Sequence, residues 1–337
     1  MQAIQIAFLC AAVSSSLAES PAGLLTDLRP SPALGVPARP TFTWIVPHIA
    51  TCGTSPKNEQ TIPVSQVQAA YQIQVFDASG SVVVDSGHTA GNASVDVVWD
   101  FSGAHVLTDA NLYAWRVRVW TAPLEAPGNS SCESDWSTNA TFVVALTNGF
   151  AKTTQPIWAD STANFVYLSR KYTLKENWVA VTAFVSAVGD DHLLGAYRLF
   201  ADGQTKSIGP GRGDTAYGTD GNIVYDTVDV TPDDPSATWI ALGLQCYHSV
   251  GSEAGVILEL HVHYADGTCE LTGGTDATWM AFNANSVYNP SGKEGGYGAP
   301  QENIDADAYP SDGWKSRGEE SLLEMLVFVR SSRTMRT

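Results

Sequence analysis

Three side chains in the stretch VILELHVHYADGTCEL, Val256 to Leu271, have the types and spacing of a metal site. Glu259, His261 and His263 recur at every second residue, so on an extended strand they project side by side from one face, as zinc or copper ligands do. The same alternation places Val256, Leu258, Leu260, Val262 and Tyr264 on the opposite face, the pattern of a strand with one buried side. Asp266-Gly267 then supplies a two-residue hairpin turn, whose central positions both need φ above zero. That register sets Tyr264 opposite Cys269, His263 opposite Glu270 and His261 opposite Thr272, with Cys269 pointing into the core. A cross-strand ion pair and a polar neighbour then account for both histidines on an outer surface. The expectation is scaffold, with no metal and no cofactor.

Other reactive groups resolve into turns. Asp190-Asp191 and Asp233-Asp234 are paired acids in loop contexts, and Pro235 marks the second pair as turn chemistry rather than an acid–base couple. Gly209-Pro-Gly-Arg-Gly lacks the Lys-Ser/Thr and the following helix of a phosphate loop. No Ser, His and acid set has a local signature. A balanced cysteine count in an oxidising compartment argues against a thiolate nucleophile.

The elements that must position any site are strands. Of 337 residues only 16% are charged, glycine, valine, threonine, serine and aromatics are plentiful, and helical periodicity is scarce. This is an all-β composition, long enough for two domains with their own cores. The apolar run Ile4 to Val13 and the small-residue pattern Ser16-Leu17-Ala18 read as a signal peptide over residues 1–18. No later run approaches the roughly 20 apolar residues of a membrane span. The formal charge of −17 lies outside the signal, which argues against nucleic acid or anionic membrane partners and for a secreted, extracellular protein. Loss of the signal removes Cys10 and leaves Cys52, Cys132, Cys246 and Cys269, an even set that suggests disulfides in one of three pairings. Asn92, Asn129 and Asn139 head N-glycosylation sequons.

Residues 21–146 read as a first β-sandwich. Five prolines from Pro21 to Pro40 forbid a helix, and strand-like runs follow at Thr41–Val46, Ala70–Phe76, Ser81–Asp85, Ser94–Trp99, Tyr113–Thr121 and Thr138–Ala145. Tyr113, Trp115, Val117 and Val119 face inward. Arg116 and Arg118 face outward, where Trp136 is expected to lie across them in a cation–π ladder. After a polar link, residues 156–316 read as a second, larger sandwich. In TWIALGLQCYH, Ile240, Leu242, Leu244 and Cys246 share a face against Ala241, Gly243 and Gln245. Cys246 and Cys269 would both point into the core, so a Cys246–Cys269 bridge is the economical pairing.

The first module resembles a fibronectin type III domain, with Trp44 on the second strand, Tyr113 and Trp115 on the sixth and a tryptophan-serine signal entering the seventh. That topology brings the loops of Cys52 and Cys132 to one end and implies a Cys52–Cys132 bridge. The ordered series YRLFADG, IGPGRGD, YDTVDVT, an Ile-Ala-Leu-Gly strand, the Tyr-Ala-Asp-Gly-Thr hairpin and QENIDADAYPSDGWKS resembles the N-terminal region of α-L-rhamnosidases, as does the leading LLTDLRPSPALGVPARPTFTWIV. The resemblance runs from Leu24 to Lys315 and implies, for the second module, a galactose-binding-like jelly roll associated with carbohydrate recognition. Two departures remove tryptophan platforms that the family commonly carries: Gly211-Arg212 stands where Gly-Trp is usual, and Gly243-Leu244-Gln245-Cys246-Tyr247 where Gly-Asp-Gly-Trp-Tyr is usual.

In that family the two carboxyls of glycoside hydrolysis lie in a helical barrel beyond these modules. The last residues, GEESLLEMLVFVRSSRTMRT, turn helical and basic, so 317–337 are expected to be an atypical tail left by truncation or misframing. The expected function is a non-catalytic, carbohydrate-recognition or support region of a secreted rhamnosidase-like glycoside hydrolase, inactive alone, with a rhamnose-containing glycan as partner. A stand-alone secreted lectin or adhesion protein is the alternative. The expected sugar contacts are Arg212, Asp214, Tyr217, Tyr247 and His248, since Arg and Asp share sugar hydroxyls while Tyr packs on the ring.

Overall fold

The computed structural model describes residues 20–49, 65–98, 106–124, 131–188, 195–211, 224–248, 255–288 and 304–309, with Lys315 and residues 330–331. The expected signal peptide, Cys52 and Asn129 lie outside these residues. Its regular secondary structure is nearly all strand.

The first module comprises β1 (Ala22–Thr26), β2 (Arg29–Pro30), β3 (Ala33–Val36), β4 (Phe42–Ile45), β5 (Gln66–Asp77), β6 (Val82–Asp85), β7 (Thr89–Ala90), β8 (Leu112–Pro123), β9 (Cys132–Glu133) and β10 (Ala140–Val144). One sheet runs β2-β1-β4. The other runs β3-β10-β8-β5-β6, with β7 on β5 and β9 on β8. The expected strand Ser94–Trp99 is reduced to a bridge from Val97 to Phe42, because Asp96 turns to φ +53° and breaks the ladder. Phe42 fills the centre, 4.6 Å from the Trp115 ring and 6.4 Å from Phe142. Buried indoles need an acceptor, and Trp44 finds one in Gln68 (2.9 Å) and Trp115 in Thr26 (2.9 Å).

Trp136 does lie across the two arginines, with the Arg116 and Arg118 guanidinium carbons 4.5 and 4.7 Å from its centroid. Its segment is pinned to β8 because the Ser134 and Ser137 hydroxyls accept the Val119 and Val117 N–H groups (3.0 Å each).

The second module comprises β11 (Ile157–Trp158), β12 (Phe165–Thr173), β13 (Trp178–Val188), β14 (Gly195–Ala201), β15 (Gln204–Gly211), β16 (Asp226–Asp229), β17 (Trp239–His248), β18 (Gly255–Tyr264), β19 (Cys269–Gly274) and β20 (Met280–Asn283). A short helix α1 (Asn285–Tyr288), a 3₁₀ turn at Ala306–Ala308 and β21 (Arg330–Ser331) follow. A five-stranded sheet, β15-β14-β17-β12-β20, packs on a six-stranded one, β16-β13-β18-β11-β21, with β19 also on β18. The expected helical tail is corrected at its one described point. Arg330–Ser331 adds to β11 as an antiparallel edge strand.

The opening hairpin departs from expectation in its register. Gly267 N–H donates to Tyr264 O (3.0 Å) and Tyr264 N–H to Thr268 O (2.9 Å), so the loop holds three residues, with Gly267 at φ +89°. This is a type I turn closed by a glycine bulge, favoured because Asp266 keeps its ordinary φ and caps Thr268 N–H and Oγ (2.9 and 2.7 Å). His263 therefore faces Cys269 and His261 faces Leu271. A one-residue slip moves every side chain on β19 to the other face. Cys269 leaves the core side and joins Ala110, Val143 and Phe184 between the modules, its Sγ 3.6 Å from Ala110 O. Cys246 stays in the sandwich core, and both thiols are free, so the expected Cys246–Cys269 bridge is wrong.

In the chain after residue 19, a thiol reagent should label neither Cys246 nor Cys269 in the native state, since burial pushes both thiols up, to about 12 for Cys269. Two thiols per chain should appear on unfolding without reductant. A count of zero would restore the bridge.

Candidate functional site

The face of the five-stranded sheet turned away from the sandwich core carries the best candidate. Alternation sends Val166, Leu168, Tyr197, Leu199, Leu244 and Cys246 into the core. Phe165, Tyr167, Arg198, Phe200, Gln245, Tyr247 and Phe282 are left on the outside. Register then aligns them in rows: Ala196, Tyr247 and Phe165 in one, Arg198, Gln245, Tyr167 and Phe282 in the next.

Helix α1 bends back over this face. Asn285 caps the entry by accepting Asn164 and Phe165 N–H (2.8 and 3.1 Å), which holds Tyr288 against Phe165, with centroids 4.9 Å apart. Tyr247 packs on the same Phe165 at 4.8 Å. The Tyr288 hydroxyl is bonded by Tyr167 O–H and by Gln245 Nε2, each at 2.6 Å. Burial, then the bond to Tyr288, raises the Tyr167 pKa, and burial raises that of Tyr288, so both stay neutral phenols. The result is a half-buried strip of aromatic rings bordered by an amide and by the exposed guanidinium of Arg198. Flat apolar surface beside hydrogen-bonding groups suits a sugar ring and its hydroxyls.

Tyr247 thus falls in the site. The backbone of His248 continues the same strand, opposite Gly195, which in turn pairs with Gly211. Arg212, Asp214 and Tyr217 lie outside the described residues. Phe165, Arg198 and Tyr288 were missed. The alternation of YRLFADG carries the signal for Arg198, whereas Tyr288 arrives by a helix with no pattern to announce it.

Glu259, His261 and His263 are not on an outer surface. All ten residues of β18 are buried, Glu259 and His263 to 1% exposure, because the first module and the link between modules cover the second face. The Glu259 carboxylate accepts Ala151 N–H, Thr154 Oγ–H (2.9 Å) and His261 Nε2 (3.1 Å). Burial alone would raise its pKa, but these hydrogen bonds outweigh it and hold the carboxyl below its ordinary value. His263 Nε2 meets Thr182 Oγ1 (3.0 Å), and burial, helped by His261, lowers its pKa to about 4. Among the described residues no group of three or more such side chains could hold a metal. The acids at Asp233 and Asp234 form turns as expected, accepting from Gln204 (2.9 Å) and from Ser236 N–H (2.9 Å).

Residues 24–148 match the family described as Rha78A-like, N-terminal immunoglobulin domain. The α-L-rhamnosidase of Aspergillus terreus shares the fold, with a TM-score of 0.61 and 18% identity over 94% of this chain and 34% of that one. The α-L-rhamnosidase of Dictyoglumus thermophilum gives 0.54 and 19% over 80% of this chain and 30% of that one. The chain resembles the N-terminal region of α-L-rhamnosidase-like proteins. It spans about a third of the length of the rhamnosidases it matches. No curated protein matches it. The immunoglobulin-type sandwich and the second sandwich share the interface under β18.

The buried groups of β18 predict a loss of stability in acid. His263 is held neutral when folded, at about 4 against 6.5 unfolded, so its contribution is complete above pH 6.5 and is lost as pH falls towards 4. Glu259, also depressed, adds a loss below about 4.5. The unfolding free energy from urea titrations should fall across this window by up to ~3 kcal/mol, and His263→Gln should flatten the fall. A variant curve parallel to that of the parent would show that His263 is not responsible.

Proposed function

We propose that this chain is the non-catalytic, carbohydrate-recognising and supporting region of a secreted α-L-rhamnosidase-like glycoside hydrolase. The observation that carries the reading is the Tyr247–Phe165–Tyr288 strip, with Gln245 and Arg198 beside it, on a fold shared with rhamnosidases. Aromatic faces stack on the C–H side of a sugar, and the amide and guanidinium order its hydroxyls. A rhamnose-containing glycan is the proposed ligand by analogy with the α-L-rhamnosidases that share the fold. Export fits the exposed sequon residues Asn92 and Asn139. It also fits Cys132, which is disulfide-bonded and for which Cys52 is the proposed partner.

Titration of the secreted chain with methyl α-L-rhamnoside should show saturable binding that Tyr247→Ala weakens at least tenfold, about 1.4 kcal/mol. An aryl rhamnoside should not be hydrolysed, because the two carboxyls that hydrolysis needs are assigned to a barrel beyond this region. Turnover by the purified chain, or binding untouched by the Tyr247 change, would overturn the reading. Binding restricted to glycans without rhamnose would favour a stand-alone lectin instead.

A further inference from the structure

On the first module, the outward face of the β5–β8 pair carries two arginines in the same setting with different endings. Ile73 and Val75 of β5 and Trp115, Val117 and Val119 of β8 go to the core, so alternation turns Gln72, Gln74, Arg116 and Arg118 outward. Register sets Gln72 beside Arg118 and Gln74 beside Arg116. Asp85 of β6 organises both pairs. Its carboxylate accepts Gln72 Nε2 (2.7 Å) and Gln74 Nε2 (2.8 Å), which leaves both amide oxygens to face the arginines. Gln74 Oε1 then accepts Arg116 Nε (3.1 Å) and Nη2 (2.8 Å), and Gln72 Oε1 accepts Arg118 Nε (2.9 Å) and Nη2 (2.7 Å).

The difference lies at Nη1. Arg118 gives it to the Glu133 carboxylate. Among the described residues Arg116 has no acid within ion-pair distance, and its hydrogen bonds to Gln74 use only Nε and Nη2. The free N–H groups therefore lie along the Nη1–Nη2 edge, a fork that matches the two oxygens of a carboxylate. Rings hold this guanidinium as well as the amide does, with its carbon 4.5 Å from the Trp136 centroid and 5.1 Å from that of Phe76. Phe76, Arg116 and Trp136 are each only half-buried, so the group is within reach of a ligand.

We propose that Arg116 is the anchor of a second binding site, for the carboxylate of an acidic saccharide, a hexuronate. That carboxylate completes Arg116 as Glu133 completes Arg118, and the borders of the Phe76 and Trp136 rings meet C–H groups of the sugar. Charge selects a ligand with one carboxylate over a polyanion, because Asp85 and Glu133 stand beside the site and the chain as a whole carries −17. The same repulsion disfavours an acidic protein surface as the occupant. The site lies on the other module from the Tyr247 strip and shares no residue with it, so either can fail without the other.

Ligand-observed NMR of the full chain with D-galacturonate, D-galactose and a heparin-type sulfated oligosaccharide tests it. Galacturonate should bind saturably, with galactose at least fivefold weaker and the sulfated oligosaccharide no tighter. Arg116→Met should weaken galacturonate binding tenfold or more, whereas Tyr247→Ala leaves this component in place. Glu133→Gln, made at an exposed position, frees the matching edge of Arg118 and should strengthen galacturonate binding at least twofold without changing that of galactose. It carries the test if Arg116→Met does not fold. The proposal is overturned if galacturonate binds no better than galactose, if the sulfated oligosaccharide binds more tightly, if binding survives Arg116→Met in a folded chain, or if Glu133→Gln leaves it unchanged.

Discussion

A strand buried on both faces sets the terms for the rest of this molecule. β18 gives Leu258, Leu260 and Val262 to the core of the second sandwich and Glu259, His261 and His263 to the junction with the first. A carboxylate cannot be buried there without donors, since an unpaired buried charge costs several kcal/mol. The donors are the backbone at Ala151, the hydroxyl of Thr154 and His261, so satisfying Glu259 fixes the path of the link between modules. With the link held down, Ala110, Val143 and Leu146 of the first module rest on Phe184, Tyr225 and Cys269 of the second.

The second sandwich is therefore asymmetric. Its six-stranded sheet spends its outer face on the neighbouring module, while its five-stranded sheet turns an aromatic face outward, partly covered by α1 and the 3₁₀ turn at Ala306–Ala308. Among the described residues, this second face offers the second module a surface for recognition.

The hairpin shows how far a small local choice reaches. Asp-Gly is compatible with a two-residue turn and with a three-residue turn closed by a glycine bulge, and the two differ by one residue of register. Asp266 bonds Thr268 and keeps a negative φ, which selects the longer loop and rotates Cys269 out of the core. The Cys246–Cys269 pairing inferred from facing side chains failed at that step alone. By contrast, Trp136 required only that Arg116 and Arg118 share an outward face, and it lies across both.

The sequence by itself determined which side chains share a face. Period-two alternation follows from the covalent geometry of an extended chain, and it sorted the core of β8, the core of β17 and the outward place of Gln245 correctly. It also carried the all-β class and the likeness of the first module to the N-terminal immunoglobulin domain of Rha78A-like proteins. What covers each face only the tertiary structure decided. Glu259, His261 and His263 alternate as they would on a surface, and nothing within a few residues of them says that a second domain will dock there. Burial of that face and the arrival of Tyr288 on Phe165 are contacts between segments more than 100 residues apart. They are set by how whole sheets pack, a property that local pattern does not contain.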